Sequence, residues 1–338
     1  MKSYSLLMYR WVDLVRVVGA FLVVMAHVSY QGGGSVLISS YYFILSRVAV
    51  PLFFMVSGFL LLGKEESYGD FFRKRALKVL IPFLIWSVIY MLWKKEGFDQ
   101  PFSMKLVASY ILKILRGPRE NHLWFFYALI GLYLFTPILR VFVARAAVRD
   151  LFYFCLLWFM VVPVFSFLQE FTPIRIGFEL YFVAGYSGYY MLGYLLGRLQ
   201  YTARQLYRAA ILLLVFSLGT TVIQYFVNSR GLTTEYFVGY LSMNIVLMTA
   251  FAFILFREVQ IGDSLYGILV PLSRASFGIY LVHVIVLDEL QKLPFVSSWF
   301  SIGSSVYMIP LLGLLGFSVS FIIIAIIQKI PVLRWSVP

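Results

Sequence analysis

The sequence predicts an all-α, polytopic transmembrane helical bundle of about ten spans, on three observations: its apolarity, the recurring length of its apolar runs, and the sidedness of its cations. Of the 338 residues, 62% are hydrophobic and 13% charged. The mean hydropathy is +0.88, a value that a water-soluble chain of this length does not sustain. Apolar runs of roughly 17 to 25 residues, enough to cross about 30 Å of hydrocarbon, recur along the whole chain. One integral-membrane domain, residues 1–338, is expected, with no soluble domain beside it.

Taken in order, the spans are expected at 12–30, 42–62, 77–94, 122–141, 150–168, 180–198, 208–227, 239–256, 268–288 and 304–327. The first contains Asp13, Arg16 and His27 and lacks a small-residue cleavage site, so it reads as a retained helix and not a signal peptide. Cationic side chains are held on the cytoplasmic side during insertion. With the N-terminus inside, the inner loops collect 18 of the 28 basic residues, from Lys2 through the Arg73–Lys78 cluster to Arg334. Of the other ten, six lie between Lys94 and Arg119, and Arg47, Arg175, Arg230 and Lys292 are scattered. Both termini are therefore expected in the cytoplasm.

The net charge of +13 does not indicate nucleic acid, because the basic residues sit between apolar spans and do not share one exposed face with aromatics. The single cysteine, Cys155, excludes an intrachain disulfide. Within the exceptional outer segment 95–121, Phe102, Leu106, Val107, Tyr110, Ile111 and Ile114 recur at helical spacing beside Lys105, Lys113 and Arg116. That pattern fits an amphipathic surface helix that attaches to anionic membrane lipids or cradles a phosphate-bearing lipid-linked substrate.

Ionisable residues inside spans are costly and so are candidates for function. Arg16 and His27 lie eleven residues apart, on one helix face and separated by about 16 Å along the axis. The plain alternative pairs Asp13 with Arg16 and leaves His27 as an interfacial residue. The three histidines, His27, His122 and His283, all fall in the outer leaflet under this topology. Imidazole is the side chain best suited to accept a hydroxyl proton near neutral pH, although each ring is equally at home hydrogen-bonded in a bundle. At the other face, Arg73-Lys74-Arg75-Ala76-Leu77-Lys78, with Pro82 beyond, serves as a topology signal or as a seat for the phosphates of a nucleotide-like donor. No glycine-rich phosphate loop, serine-nucleophile signature or metal-ligand spacing occurs.

These blocks together resemble the acyltransferase 3 family of membrane O-acyltransferases over nearly the whole chain, and within it the single-domain members. Asp13-Leu14-Val15-Arg16, followed after ten residues by His27, matches the family's first-helix signature. Ser46-Arg47-Val48-Ala49-Val50-Pro51 through Ser57-Gly58-Phe59 matches its proline, aromatic and Ser-Gly-Phe helix. The Arg75 to Lys78 stretch is similar to the family's Arg-x-x-Arg motif, with lysine in place of the second arginine. His122-Leu123-Trp124-Phe125-Phe126 and Ser276-Phe277-Gly278-Ile279-Tyr280-Leu281-Val282-His283 match two later blocks.

The resemblance implies a multi-pass enzyme of the bacterial inner membrane. It would move an acyl group, usually acetyl from acetyl-CoA, to a hydroxyl of a cell-surface or lipid-linked saccharide at the outer face. Acyl-CoA is a co-substrate, and neither a permanently bound cofactor nor a metal is expected. Many relatives carry an extra esterase-like domain; this chain ends at Pro338, so transfer is expected to finish within the bundle. In that scheme Arg73, Arg75 and Lys78 hold the donor, Arg16 guides it and His27 is the general base. His122 and Trp124 shape the acceptor side, Tyr280 or His283 donates to the oxyanion, and Glu170 or Glu179 is a candidate to orient His27. The competing class is a transporter or flippase, disfavoured by the shortage of intramembrane carboxylates beyond Asp288 and Glu289.

Overall fold

The computed structural model describes residues 9–31, 36–95, 103–178, 180, 183–232, 234–302 and 306–338; Lys2, Phe102 and Glu179 lie outside them. The helices are α1 (Arg10–Gln31), α2 (Val36–Ser46), α3 (Ala49–Leu61), α4 (Tyr68–Arg75), α5 (Ile81–Trp93), α6 (Met104–Arg116), α7 (Trp124–Arg145), α8 (Val148–Phe159), α9 (Phe165–Phe171), α10 (Ser187–Arg198), α11 (Ala203–Ser229), α12 (Met243–Arg257), α13 (Asp263–Gln291), α14 (Pro294–Ile302) and α15 (Met308–Lys329). Among the described residues there are no strands, and nine helical segments are long and apolar enough to cross a bilayer. They account for every expected span but the sixth.

The sixth, expected over 180–198, takes a different form. Thr172 is extended because Pro173 disfavours a helical residue before it, so α9 stops at Phe171. Among the described residues the next α-helix begins at Ser187, and α10 has just 12 residues, ten of them buried. The entry turns on Gly185, whose φ of +65° suits glycine, and Trp158 Nε1 donates to its carbonyl at 2.8 Å. Two glycines then let α10 lie against α3: a Cβ on Gly58 would stand 1.8 Å from the Tyr190 carbonyl oxygen, and one on Gly193 2.0 Å from that of Met55. Small residues that let backbones touch are how helices associate where lipid removes the hydrophobic drive.

The α4–α5 span bends through a widened turn at Ala76–Leu80, where Ile81 N–H reaches back to Ala76. Pro82 explains it, since its ring would crowd the carbonyl four residues earlier in a regular helix. Polar residues set the helix starts: Ser67 caps α4, Ser103 caps α6, and Thr202 with Gln205 forms a capping box on α11.

The first, second and ninth spans are the most buried, and the fifth and seventh face outward. Leu134, Ile138, Tyr153, Leu156, Leu214 and Ile322 are each about half exposed or more, an apolar belt suited to lipid. At the centre α1 runs parallel to α13, with Asp13 meeting Ser273 at one end and His27 meeting His283 at the other. α15 runs antiparallel to α13, Gly278 facing Ile324 and Gly316 facing Leu287. The bundle thus has a histidine end and a basic end. The helix α6 lies at the histidine end with Ile114 buried and Met104, Ile111, Leu112 and Leu115 exposed; the Tyr127 hydroxyl donates to Ile114 O.

Candidate active site

At the histidine end three imidazoles from α1, the start of the fourth span and α13 pack edge to face. Ring centroids are 4.7 Å apart for His27 and His283, 5.0 Å for His122 and His283, and 6.3 Å for His27 and His122. His27 Nδ1 is 2.9 Å from the Val23 carbonyl oxygen. A carbonyl only accepts, so in the neutral ring Nδ1 carries the hydrogen and Nε2 holds the lone pair. The same reasoning gives His283 a protonated Nδ1, 2.7 Å from Tyr280 O. Its bare Nε2 then faces His27 Nδ1 at 3.4 Å.

Two expected roles change here. An oxyanion donor needs a free hydrogen, but the Tyr280 hydroxyl donates to His122 O at 2.6 Å and the His283 N–H is spent on Tyr280 O. Neither residue has a hydrogen to offer. His122, only 4% exposed, has no partner for either ring nitrogen among the described residues. Of the two carboxylates named as candidates to orient His27, Glu179 lies outside the described residues and Glu170 is exposed at the end of α9; the partners of the ring among the described residues are the Val23 carbonyl and His283. Among the described residues no three His, Cys, Asp or Glu side chains converge to hold a metal.

His27, His122, Trp124 and Tyr280 line a cavity of about 740 Å³, within the range of small-ligand sites. Its other walls include Ser39, Ser46, Arg47, Asn121, Gln224, Asn228 and Tyr240. Trp124 packs against Tyr186 and Tyr240 at 5.3 and 5.2 Å, and the Arg47 guanidinium lies 3.6 Å from the centroid of the Tyr240 ring. Sequence reasoning missed Arg47, Gln224 and Tyr240. The signal for Arg47 was available: a cation five residues into an apolar run of the second span is an intramembrane charge, not a loop residue. Gln224 and Tyr240 carried none, because only the tertiary fold brings α11 and the 236–242 turn to the cavity that His27 lines.

At the basic end, Asp13 does more than pair with Arg16. It accepts from Ser273 Oγ at 2.6 Å and Tyr266 OH at 3.1 Å as well as from Arg16 at 3.2 Å, joining α1 to α13 and leaving Arg16 half exposed. The basic cluster separates into different kinds of cation. Lys74 is neutralised by Glu66 at 2.6 Å, and the same carboxylate takes Arg140 at 3.4 Å and Lys64 at 3.7 Å. The Lys74 hydrogen bond, ahead of the burial that opposes it, holds the Glu66 carboxyl below the ordinary carboxylate range. Arg140 Nε also caps α3 through Leu61 O at 2.9 Å. Arg75 turns inward, over the rings of Phe71 and Tyr133 at 5.3 and 5.7 Å, with a buried Nε that has no partner among the described residues. Arg73 and Lys78 are exposed.

Between the two ends the Phe53 ring packs against α1. A Cβ on Gly19, one turn beyond Arg16, would stand 2.8 Å from its ring, which packs in turn on Phe125 and Tyr280.

No curated protein and no solved structure matches the chain. A family model described as an acyltransferase domain matches residues 9–328, from the start of α1 to the end of α15, and so spans the histidine cluster, the cavity and the basic end together. The chain belongs to the acyltransferase 3 family of membrane acyltransferases.

Proposed function

We propose that this acyltransferase is an O-acyltransferase that takes an acyl group, acetyl in the simplest case, from acyl-CoA at the basic end and delivers it to a saccharide hydroxyl in the cavity at the histidine end. The basic end is assigned to the cytoplasm and the cavity to the outer leaflet of a bacterial inner membrane, following the distribution of Lys and Arg. The sequence resemblance to the family's single-domain members supports acetyl as the group and a free or polyprenyl-linked saccharide as the acceptor. The observation that carries the reading is the His27 ring, fixed through Nδ1 with Nε2 left as the base on a cavity-lining residue.

In this mechanism the acceptor hydroxyl gives its proton to His27 Nε2 while its oxygen attacks the thioester carbon. The tetrahedral oxyanion is met by the N–H of His122, and collapse expels the CoA sulfur, which takes the proton back from His27. Base catalysis of this kind contributes about 100- to 10,000-fold. Arg75 binds donor phosphate, Arg16 steadies the donor, and Arg73 and Lys78 add field at the mouth. Phe53 must move aside for the pantetheine arm. Proteoliposomes given radiolabelled acetyl-CoA and an isolated lipid-linked saccharide test this: label on the saccharide that disappears with His27→Ala is the expected result. Label retained at the wild-type rate in His27→Ala refutes the base, and saccharide translocation without acetyl-CoA consumption identifies a flippase.

A further inference from the structure

The cavity beside His27 holds a cation that no carboxylate among the described residues balances. Arg47 sits at the junction of α2 and α3, half buried within a membrane-spanning segment. Its Nε donates to Val238 O at 2.7 Å, and its plane lies over Tyr240 at 3.6 Å and near Phe43 at 5.2 Å. No carboxylate among the described residues lies within ion-pair distance of it; Glu235, on the same cavity wall, is exposed and unpaired with it. A guanidinium in such a setting keeps its charge, and leaving that charge unpaired away from water is costly. Gln224, which lines the same cavity and is 9% exposed, gives Nε2 to Asn228 at 2.9 Å and leaves Oε1 without a partner among the described residues. The cavity lining thus offers a positive fork for an anion and a bare acceptor for a hydroxyl or amide hydrogen.

Resting on the reading of this cavity as the acceptor site, we propose that the acceptor is anionic: Arg47 binds a carboxylate or phosphate carried by the saccharide acceptor, while Gln224 accepts a hydrogen bond from a neighbouring hydroxyl or amide. Tyr240 holds the guanidinium in plane, so that its remaining N–H groups present a bidentate pair to two oxygens. The anion fixes the acceptor's register, and the hydroxyl that reaches His27 Nε2 is chosen by its distance from that anion.

The test uses the full chain in nanodiscs, with methyl glucuronoside, its neutral methyl ester and a long-chain polyprenyl phosphate as probes. Wild type should bind the glucuronoside about 10- to 100-fold more tightly than the ester if the anion is a sugar carboxylate. If the anion is the lipid carrier's phosphate, the polyprenyl phosphate should bind with that advantage over the corresponding polyprenol. Arg47→Gln should abolish whichever preference is present and leave ester binding within about twofold, and Arg47→Lys should restore part of it. Equal binding of charged and neutral probes by wild type overturns the proposal without any variant being needed, and so does a preference that survives Arg47→Gln. Acetyl transfer by wild type with no anion preference sinks this inference alone. An Arg47-dependent preference with no acetyl transfer to any acceptor sinks the transferase reading and leaves the anion site standing.

Discussion

The two ends of the bundle handle polar groups differently. At the basic end carboxylates gather most of the polar partners: Glu66 collects Lys64, Lys74 and Arg140, and Asp13 collects Arg16, Ser273 and Tyr266, and what stays unpartnered among the described residues is arginine nitrogen, Arg10 Nε, Arg75 Nε and Arg140 Nη1. At the histidine end the unpartnered buried atoms among the described residues line the cavity and include acceptors, namely Ser39 Oγ, both His122 nitrogens and Gln224 Oε1, beside the His27 ring and an Arg47 with no carboxylate partner among the described residues. Buried polar groups without partners are expensive and persist where something else completes them. Under the proposed function the histidine end is built ahead of its ligand, whereas the basic end offers the donor chiefly Arg75 and exposed charge.

This contrast predicts which kinetic constant each end controls. The largest effect belongs to His27→Ala, which should lower kcat by about 100- to 10,000-fold with the KM for acyl-CoA nearly unchanged. Next comes Arg75→Ala, which should raise the KM for acyl-CoA about 10- to 100-fold, the value of a charge-assisted hydrogen bond, with kcat little affected. A donor KM unmoved by Arg75→Ala would mean that the basic end sets topology only. Smaller again is His283→Leu, which removes a 3.4 Å acceptor from His27 Nδ1 but leaves the Val23 carbonyl in place. It should cost about 2- to 10-fold in kcat and shift the pH profile, with donor KM unmoved. Arg73→Ala and Lys78→Ala, on exposed side chains, should change the donor KM by less than about fivefold each.

Glu66 separates structure from catalysis. A carboxyl held below its ordinary range contributes stability above its unfolded value and loses it as pH falls through the folded value. Glu66→Gln should therefore lower the thermal midpoint at neutral pH, and the gap from wild type should close on acidification. A gap that widened in acid would contradict the assignment of Glu66 as the ionised clamp.

Much of the fold was legible because membrane helices declare themselves by length and apolarity, and nine such segments lie where hydropathy put them. The sixth span was only partly legible: hydropathy counts side chains, not backbone, so it did not register that Pro173 would end the preceding helix or that Gly185 would turn the chain just before the helix Ser187–Arg198. The Arg16–His27 face was readable from spacing along one helix. That Asp13 also bonds Ser273 and Tyr266, and that Lys74 is neutralised by Glu66, depend on partners 8 to 260 positions away in the chain, and which ring nitrogen of His27 is free depends on a backbone carbonyl one turn back, which no residue pattern encodes. Arg47 was visible as an intramembrane cation, but its stacking on Tyr240 was not.

The central claim, donor and acceptor on opposite sides with His27 between, is tested most directly by compartment. Proteoliposomes sorted for one orientation are loaded with labelled acetyl-CoA at the basic face, and the saccharide acceptor is supplied only at the histidine face. Label on the acceptor at a rate that His27→Ala abolishes is the predicted result; transfer only when both substrates share one face would contradict it.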